Sequence, residues 1–339
     1  MLGLLILASL AAAPSPAPSA TPTALPQIGS VSTADRRLEP ISRSSRPTYV
    51  ITRVQIDDAG AKTVGDALVL VPGIAPRTDY YGFGNVTNYG IRGASSAQTL
   101  VLLDGLPISG ASTGTFDLGT YPLTGVDRLE VVESGGSTLY GTSAVGGIIN
   151  IITSPANGLD AGLSDGSYAD RQAQLSVGDG HLGASFSRRI VNNAFAYPAF
   201  NYPGMPFPAG VRTDAWADAS SARFNLAEPL GPGFSVRADL GADALIGGAP
   251  SRLDFLTPTA SQSLVRDALT IDVSRAGAQS LVSLAVSTAR QALVFTDPNP
   301  FDCGGESDTY DGRTQVSLKD VFTQAQKNGQ LPTPKSGRR

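Results

Sequence analysis

The 339-residue chain contains one cysteine, Cys303, and one histidine, His181, with 2 Met, 1 Trp and four lysines, Lys62, Lys319, Lys327 and Lys335. A lone thiol excludes a disulfide framework and a cysteine-histidine zinc site, and a lone imidazole limits acid-base triads to one built around His181. No cofactor and no enzyme activity are expected. Charge is also scarce, at 16% of residues, and a net charge of −4 offers no basic footprint, so nucleic acid is not an expected partner. After the N-terminus no apolar run reaches the length of a membrane-spanning helix, which leaves strands as the only means of crossing a bilayer. What is plentiful is Gly (38), Pro (24), Ser, Thr, Ala and Asp, the residues of strands and turns. The fold class expected is mostly β.

Leu2 to Ala13 is an apolar stretch ending in Ala-Ala-Ala, too short to span a bilayer and followed by small residues suited to cleavage. Residues 1–20 read as a signal peptide, although the stretch has no Lys or Arg before it; a buried helix is the alternative. Pro14 to Pro26 cannot join a sheet, because proline lacks the N–H donor, so residues 21–47 read as a flexible linker.

Residues 48–154 read as a compact α/β unit. Tyr49-Val50-Ile51 seeds a strand, and Asp57-Asp58 supplies cap-type carboxylates before Ala61, Val64, Ala67, Leu68 and Val71 recur at helical spacing. A helix is expected from about 60 to 70, ending at Pro72-Gly73. Four β-branched or leucine-rich runs follow, around Ile91, Leu100–Leu103, Val126–Glu133 and Gly147–Thr153, each closed by Gly, Asp or Thr.

The ordered motifs Val71-Pro72-Gly73, Ile91-Arg92-Gly93, Leu103-Asp104-Gly105, Leu129-Glu130-Val131 and Leu139-Tyr140-Gly141 through Gly146-Gly147-Ile-Ile-Asn150-Ile-Ile-Thr153 resemble the plug domain of TonB-dependent outer-membrane receptors. Gly90 to Thr153 looks most like the cobalamin transporters of that family. The resemblance implies an N-terminal α/β plug followed by antiparallel transmembrane β-barrel strands. It also implies a small-molecule nutrient ligand, the energy-transducing protein TonB as partner, and the outer membrane as location. In one place the chain departs from the family pattern: Glu133-Ser134-Gly135 stands where Arg-Gly-Pro is common, which replaces a cation expected to pair with the barrel by an anion. Arg92 and Glu130 remain as expected plug–barrel anchors, with a solvated strand-end arginine as the alternative for Arg92.

Other motif matches fail on their chemistry. Gly136 to Thr142 lacks the lysine that a phosphate-binding loop requires, Gly82-Phe83-Gly84 has Thr87 where a third glycine belongs, and Gly141 to Val145 lacks the second glycine of a nucleophile elbow.

From residue 158 to 322 the sequence alternates. Phe234, Val236, Ala238, Leu240, Ala242 and Ala244 interleave with Ser235, Arg237, Asp239, Gly241 and Asp243, a period of two at a length suited to a tilted membrane strand. Similar segments near 158–164, 168–178, 181–191, 219–227, 266–275, 280–290 and 313–321 make about eight strands. Asn192–Asp218, Gly247–Ser263 and Asp297–Asp311 are the expected extracellular loops. Asp297, Asp302, Glu306, Asp308 and Asp311 read as a solvated acidic loop, with a cation site as the alternative; His181 reads as a structural or surface residue, with a ligand as the alternative, and Cys303 as an unpaired loop thiol without a role. Eight strands are well under half of a 22-stranded plugged barrel, and residues 323–339 abandon the alternation. The chain is therefore expected to hold an incomplete barrel, as a truncated receptor; a periplasmic plug-like binding or signalling module is the alternative.

The site residues expected from the resemblance fall in three groups. Asp79, Tyr80, Tyr81, Phe83, Asn85, Ser109, Ser112, Thr113 and Thr115, on two outward plug loops, are expected to touch the ligand, with packing of the aromatics on the barrel wall as the alternative. Leu25, Pro26, Gln27, Ile28, Gly29, Ser30 and Val31 are expected to pair with TonB as an added strand, a passive linker being the alternative. Arg92 and Glu130 form the third group, the anchors.

Overall fold

A computed structural model describes residues 30–33, 39–44, 46–77, 83–84, 87–109, 116–133, 144–202, 205–249, 251–252, 255–256, 259–277, 280–298 and 305–322. The expected signal peptide and the tail after 322 lie outside them. The N-terminal unit runs β1 (Ser30–Val31), β2 (Glu39–Pro40), β3 (Thr48–Thr52), α1 (Arg53–Asp58), α2 (Val64–Leu68), β4 (Ile74–Arg77), β5 (Asn88–Ile91), β6 (Thr99–Leu103), β7 (Leu106–Pro107), β8 (Val126–Glu133) and β9 (Gly147–Thr153). Its main sheet has the order β3-β8-β9-β6-β7, with β6 and β9 parallel. The expected helix at 60–70 is shortened to α2, and a further helix, α1, precedes it. Thr52 with Gln55 and Thr63 with Asp66 each close a capping box, so hydroxyls rather than Asp57 and Asp58 set the helix starts. Asp104 (φ 49°) and Gly105 (φ 83°) make the two-residue turn between β6 and β7, which demands left-handed backbone at both positions. Leu129, Val131, Ile149 and Ile151 join Ile51, Ile56 and Leu68 in one enclosed core.

The second unit is an antiparallel meander of eight strands. These are β10 (Asn157–Gly166), β11 (Asp170–Asp179), β12 (Leu182–Val191), β17 (Ala217–Gly231), β18 (Phe234–Gly248), β21 (Ser261–Ala276), β22 (Ser280–Asp297) and β23 (Gly305–Phe322). Short hairpins decorate two connections: β13 (Phe195–Tyr197) with β16 (Gly210–Arg212), β14 (Phe200–Tyr202) with β15 (Met205–Phe207), and β19 (Ser251–Arg252) with β20 (Phe255–Leu256). All eight expected strands are present. The later ones overshoot their expected length, β18, β21, β22 and β23 toward the end with the long connections: β18 continues to Gly248, β21 begins at Ser261, β22 continues to Asp297 and β23 begins at Gly305. The added stretches carry polar residues such as Gln262, Ser263, Ser307 and Asp308, because the backbone ladder can continue into water where apolar alternation stops. The expected loop 297–311 is accordingly corrected: Glu306, Asp308 and Asp311 belong to β23.

Along β12 the inward residues are Ser185, Ser187 and Arg189, while Leu182, Phe186 and Ile190 face out; along β18 Asp239, Gly241 and Asp243 face in and Leu240 and Ile246 face out. The plug packs on the polar face. Among the described residues the sheet does not close, with β10 and β23 at its edges.

Candidate functional site

The contact between plug and wall is built on residues 116–125, the segment leading into β8. Its shape is fixed from inside: the Asp117 carboxylate accepts the Gly119 N–H at 3.0 Å, the Thr120 hydroxyl at 2.8 Å and the Thr87 N–H at 3.3 Å. The first two amides of α2, Val64 and Gly65, donate to the Tyr121 and Leu118 carbonyls, so the unpaired helix start holds the same segment. Held so, the carbonyls of Asp117 and Thr120 both face the wall and accept Arg266 at 3.1 Å. Arg223, only 3% exposed, donates to the Tyr121 hydroxyl at 2.7 Å and to Asp239 at 2.8 Å, and Asn225 donates to the second Asp239 oxygen at 2.7 Å. Both guanidiniums lie near the Tyr121 ring, 5.6 and 5.3 Å from its centroid. Gly241, opposite Arg223 in the ladder, leaves the space its guanidinium fills, since a Cβ there would stand 3.1 Å from it. Burial pushes the Tyr121 phenol up to about 12 and raises the Asp117 carboxyl, the latter opposed by Arg266.

A second contact lies toward the long connections. Asp170 accepts Lys62 of the plug at 2.8 Å and two guanidinium nitrogens of Arg189, each at 2.9 Å. Arg189 covers the Phe83 ring at 4.1 Å, Asn193 donates to the Phe83 carbonyl at 2.8 Å, and Gln262 donates to the Gly84 carbonyl. Gly84 (φ 96°) touches Ala217 where no side chain would fit.

The expected ligand residues divide accordingly. Phe83 packs on the wall at Arg189. Ser109 is buried, with its hydroxyl accepting the Val101 N–H at 3.1 Å, and it borders a cleft shared with Phe116, Tyr121, Arg223 and Arg266. Asp79, Tyr80, Tyr81, Asn85, Ser112, Thr113 and Thr115 lie outside the described residues, as do Leu25, Pro26, Gln27, Ile28 and Gly29; Ser30 and Val31 form β1 against Glu39–Pro40.

Arg92 and Glu130 make their contacts within the plug. Arg92 (φ 51°) reaches Glu133 at 2.5 Å, so the glutamate that stands in place of a basic residue is paired with the neighbouring arginine. Burial raises the Glu133 carboxyl and Arg92 opposes the rise. Glu130 is fully buried and accepts Arg128 at 2.9 Å together with donors from Ser32 and Thr33. The wall residues Arg223 and Arg266, which carry the observed contact, were legible only as charges on the polar side of an alternating strand. Asp104, bound to the Thr153 amide and hydroxyl at 2.9 and 2.8 Å, is pushed up to about 6 by burial and by the nearby Asp239 carboxylate.

A family profile described as TonB-dependent Receptor Plug Domain matches residues 40–148. The chain is 35% identical over 183 residues to the vitamin B12 transporter BtuB of Photobacterium profundum, a match covering 52% of this chain and 29% of that one. Among solved structures it is similar to the ferric yersiniabactin uptake receptor FyuA of Yersinia pestis, with TM-score 0.58 and 18% identity over 84% of this chain and 47% of that one. It is also similar to the alcaligin outer-membrane receptor FauA of Bordetella pertussis, with TM-score 0.56 and 17% identity over 88% of this chain and 56% of that one. The chain thus spans about half the length of the solved receptors, and under a third of the curated relative's.

Proposed function

We propose that this chain, a member of the TonB-dependent outer-membrane receptor family with its plug domain in residues 40–148, binds a scarce nutrient such as cobalamin or a metal chelate at the outer membrane and passes it inward under the control of TonB. It acts as a receptor, not as an enzyme. The observation that carries this reading is the inverted alternation of the eight-stranded wall: apolar side chains such as Leu163, 89% exposed, stand outward, and the charged face is filled by the plug. A water-soluble binding module has no use for such an outer face, whereas a bilayer covers it.

In this reading residues 158–322 are barrel strands and residues 48–154 the plug. The long connections 192–216 and 249–260 face the outside, and the plug stretch carrying Asp79, Tyr80, Tyr81, Phe83 and Asn85 meets the ligand beside them; Ser109, Ser112, Thr113 and Thr115 form the second ligand loop. Phe83 supports the placement of the first loop, because its ring and carbonyl are held by Arg189 and Asn193 near that end of the wall. Leu25 to Val31 add as a strand to TonB from the opposite side. Energy then arrives by mechanical work on the plug, with Arg92 and Glu130 stabilising the sheet that is worked upon.

The test is binding. Outer-membrane preparations of the full chain are titrated with cyanocobalamin and with a ferric siderophore by calorimetry. The expected result is saturable binding of one of them, weakened at least about tenfold by Tyr80→Ala combined with Tyr81→Ala. Absence of the chain from the outer-membrane fraction would overturn the location, and unchanged affinity in the double variant would overturn the assigned loop.

A further inference from the structure

Ser32 and Thr33 are placed in the structure by one side chain to an unusual degree. Glu130, in the middle of β8 and fully buried, accepts the Ser32 N–H at 3.0 Å, the Thr33 N–H at 3.0 Å and the Thr33 hydroxyl at 2.5 Å, all on Oε2, with the Ser32 hydroxyl at 3.2 Å. Its other oxygen takes Arg128 Nε at 3.1 Å and a terminal guanidinium nitrogen at 2.9 Å. Consecutive backbone amides converging on one carboxylate oxygen make a small anion-binding cup, formed here by the chain just after β1 and filled from the plug sheet. The Thr33 hydroxyl in turn accepts Asn150 Nδ2 at 2.8 Å, and Asn150 Oδ1 accepts the Gly105 N–H at 3.0 Å, so the contact continues into the β6–β7 turn.

The physical consequence is an asymmetry. While Ser32 and Thr33 are seated, every lone pair of the buried carboxylate that faces them is used. Once they leave, Glu130 retains Arg128 as its partner among the described residues, and Asn150 loses the acceptor of its amide, both in the buried interior of the plug. Partial departure therefore uncovers a buried carboxylate without freeing the chain.

We infer that Glu130 and Asn150 are a latch that fastens the chain at Ser32-Thr33 to the plug sheet, so that traction applied to residues N-terminal to β1 is resisted by the buried carboxylate and, on release, takes partners from Glu130 and Asn150 beside the Asp104-Gly105 turn while the β8–β9 ladder stays paired. That turn lies beside the wall: Asp104 is close enough to Asp239, the partner of Arg223, for their charges to interact. The assignment of residues 25–31 to TonB supplies the source of traction and rests on the proposed function; the latch itself depends only on the contacts named.

Hydrogen exchange of the full chain in outer-membrane preparations, read by mass spectrometry without ligand or TonB, tests it. In the unmodified chain the amides of 30–33 should be protected. Glu130→Gln, which puts an NH2 group where one carboxylate oxygen was, should speed their exchange at least about tenfold while the 147–153 peptide of β9 stays protected. Thr33→Val, which keeps the side-chain shape and removes the hydroxyl, should act in the same direction and serves where the first variant fails to assemble. Exchange of 30–33 at free-peptide rates in the unmodified chain would overturn the latch. So would unchanged rates in the variants, or equal acceleration of 147–153, which marks a general loss of the plug. Nutrient binding is measured separately, so the receptor reading and the latch can each fail alone.

Discussion

In β8 of the plug, Leu129 and Val131 are enclosed by other apolar side chains, whereas in β18 of the wall Leu240 and Ile246 stand outward and Asp239 and Asp243 are enclosed. Both strands are made from the same residue types and both obey the pleat, in which neighbours point to opposite faces. The difference lies in the surroundings each face meets. The plug sheet is covered on both sides by its own chain, so β8 encloses Leu129, Val131 and Val132 and pairs the two carboxylates it also buries, Glu130 with Arg128 and Glu133 with Arg92. In the proposed setting the wall meets hydrocarbon on one side, and on the other it meets a folded domain, so its polar side becomes an interior without being a hydrophobic core. Enclosure in this molecule therefore has two meanings: for Leu129 it is removal from water, and for Arg223 it is replacement of water by Asp239 and Tyr121.

The largest test of that contrast is Arg223→Leu. It leaves Asp239 with Asn225 as its donor and takes from the Tyr121 hydroxyl the guanidinium it accepts, and a buried pair broken from one side costs about 3–5 kcal/mol. Chemical denaturation of the full chain, followed by protection of residues 116–125 from protease, should register a loss of that size. A loss below about 1 kcal/mol would mean that plug and wall are held by shape alone.

Next in size is a matched pair of leucines. Leu129→Ala should cost about 2–5 kcal/mol whatever surrounds the wall, because its cavity forms inside the plug. Leu240→Arg should cost about 2–4 kcal/mol in a bilayer, falling toward zero where the strand is placed in water. Equal tolerance of arginine at position 240 in bilayer and in water would remove the evidence that this face meets lipid.

A smaller effect is expected from Asp104, whose folded pKa of about 6 lies above its unfolded value of 3.8. A raised carboxyl is a penalty carried by the ionised form: absent below about pH 4, growing between pH 4 and 6, and complete above. Stability should therefore rise as pH falls from 7 to 5. Asp104→Asn, tolerated at φ 49° because asparagine accepts left-handed backbone, should flatten that rise. An unaltered pH profile in the variant would assign the titration to another group.

How much of this was legible beforehand follows from the same contrast. The eight wall strands were readable because alternation is local, and the plug strands because glycine, aspartate and proline mark their ends. Helix starts were misplaced because Asp57 and Asp58 are loud cap signals, while the actual boxes, Thr52 with Gln55 and Thr63 with Asp66, are quiet. The family resemblance points to plug charges as the anchors. Arg92 met Glu133 at the end of β8, and the wall contact fell to Arg223 and Arg266, whose meaning depends on which plug groups come opposite them across more than 100 residues of chain. Pairing at that distance leaves no mark in local sequence.

The smallest prediction concerns the one place where a local signal supports the long-range contact. Thr63 accepts the Asp66 N–H at 3.1 Å and donates its own N–H to the Asp66 carboxylate at 2.9 Å, and the two amides that follow, of Val64 and Gly65, hold the Tyr121 and Leu118 carbonyls. Thr63→Ala removes a cap worth about 1 kcal/mol. If α2 only caps itself, that loss should appear as faster exchange within 64–68 and nowhere else. If α2 is what presents residues 116–125 to the wall, exchange in 116–125 should rise together with it while β12 and β18 stay unchanged. The second outcome is expected, because Thr120 and Tyr121 cannot face Arg266 and Arg223 once the helix start lets them go.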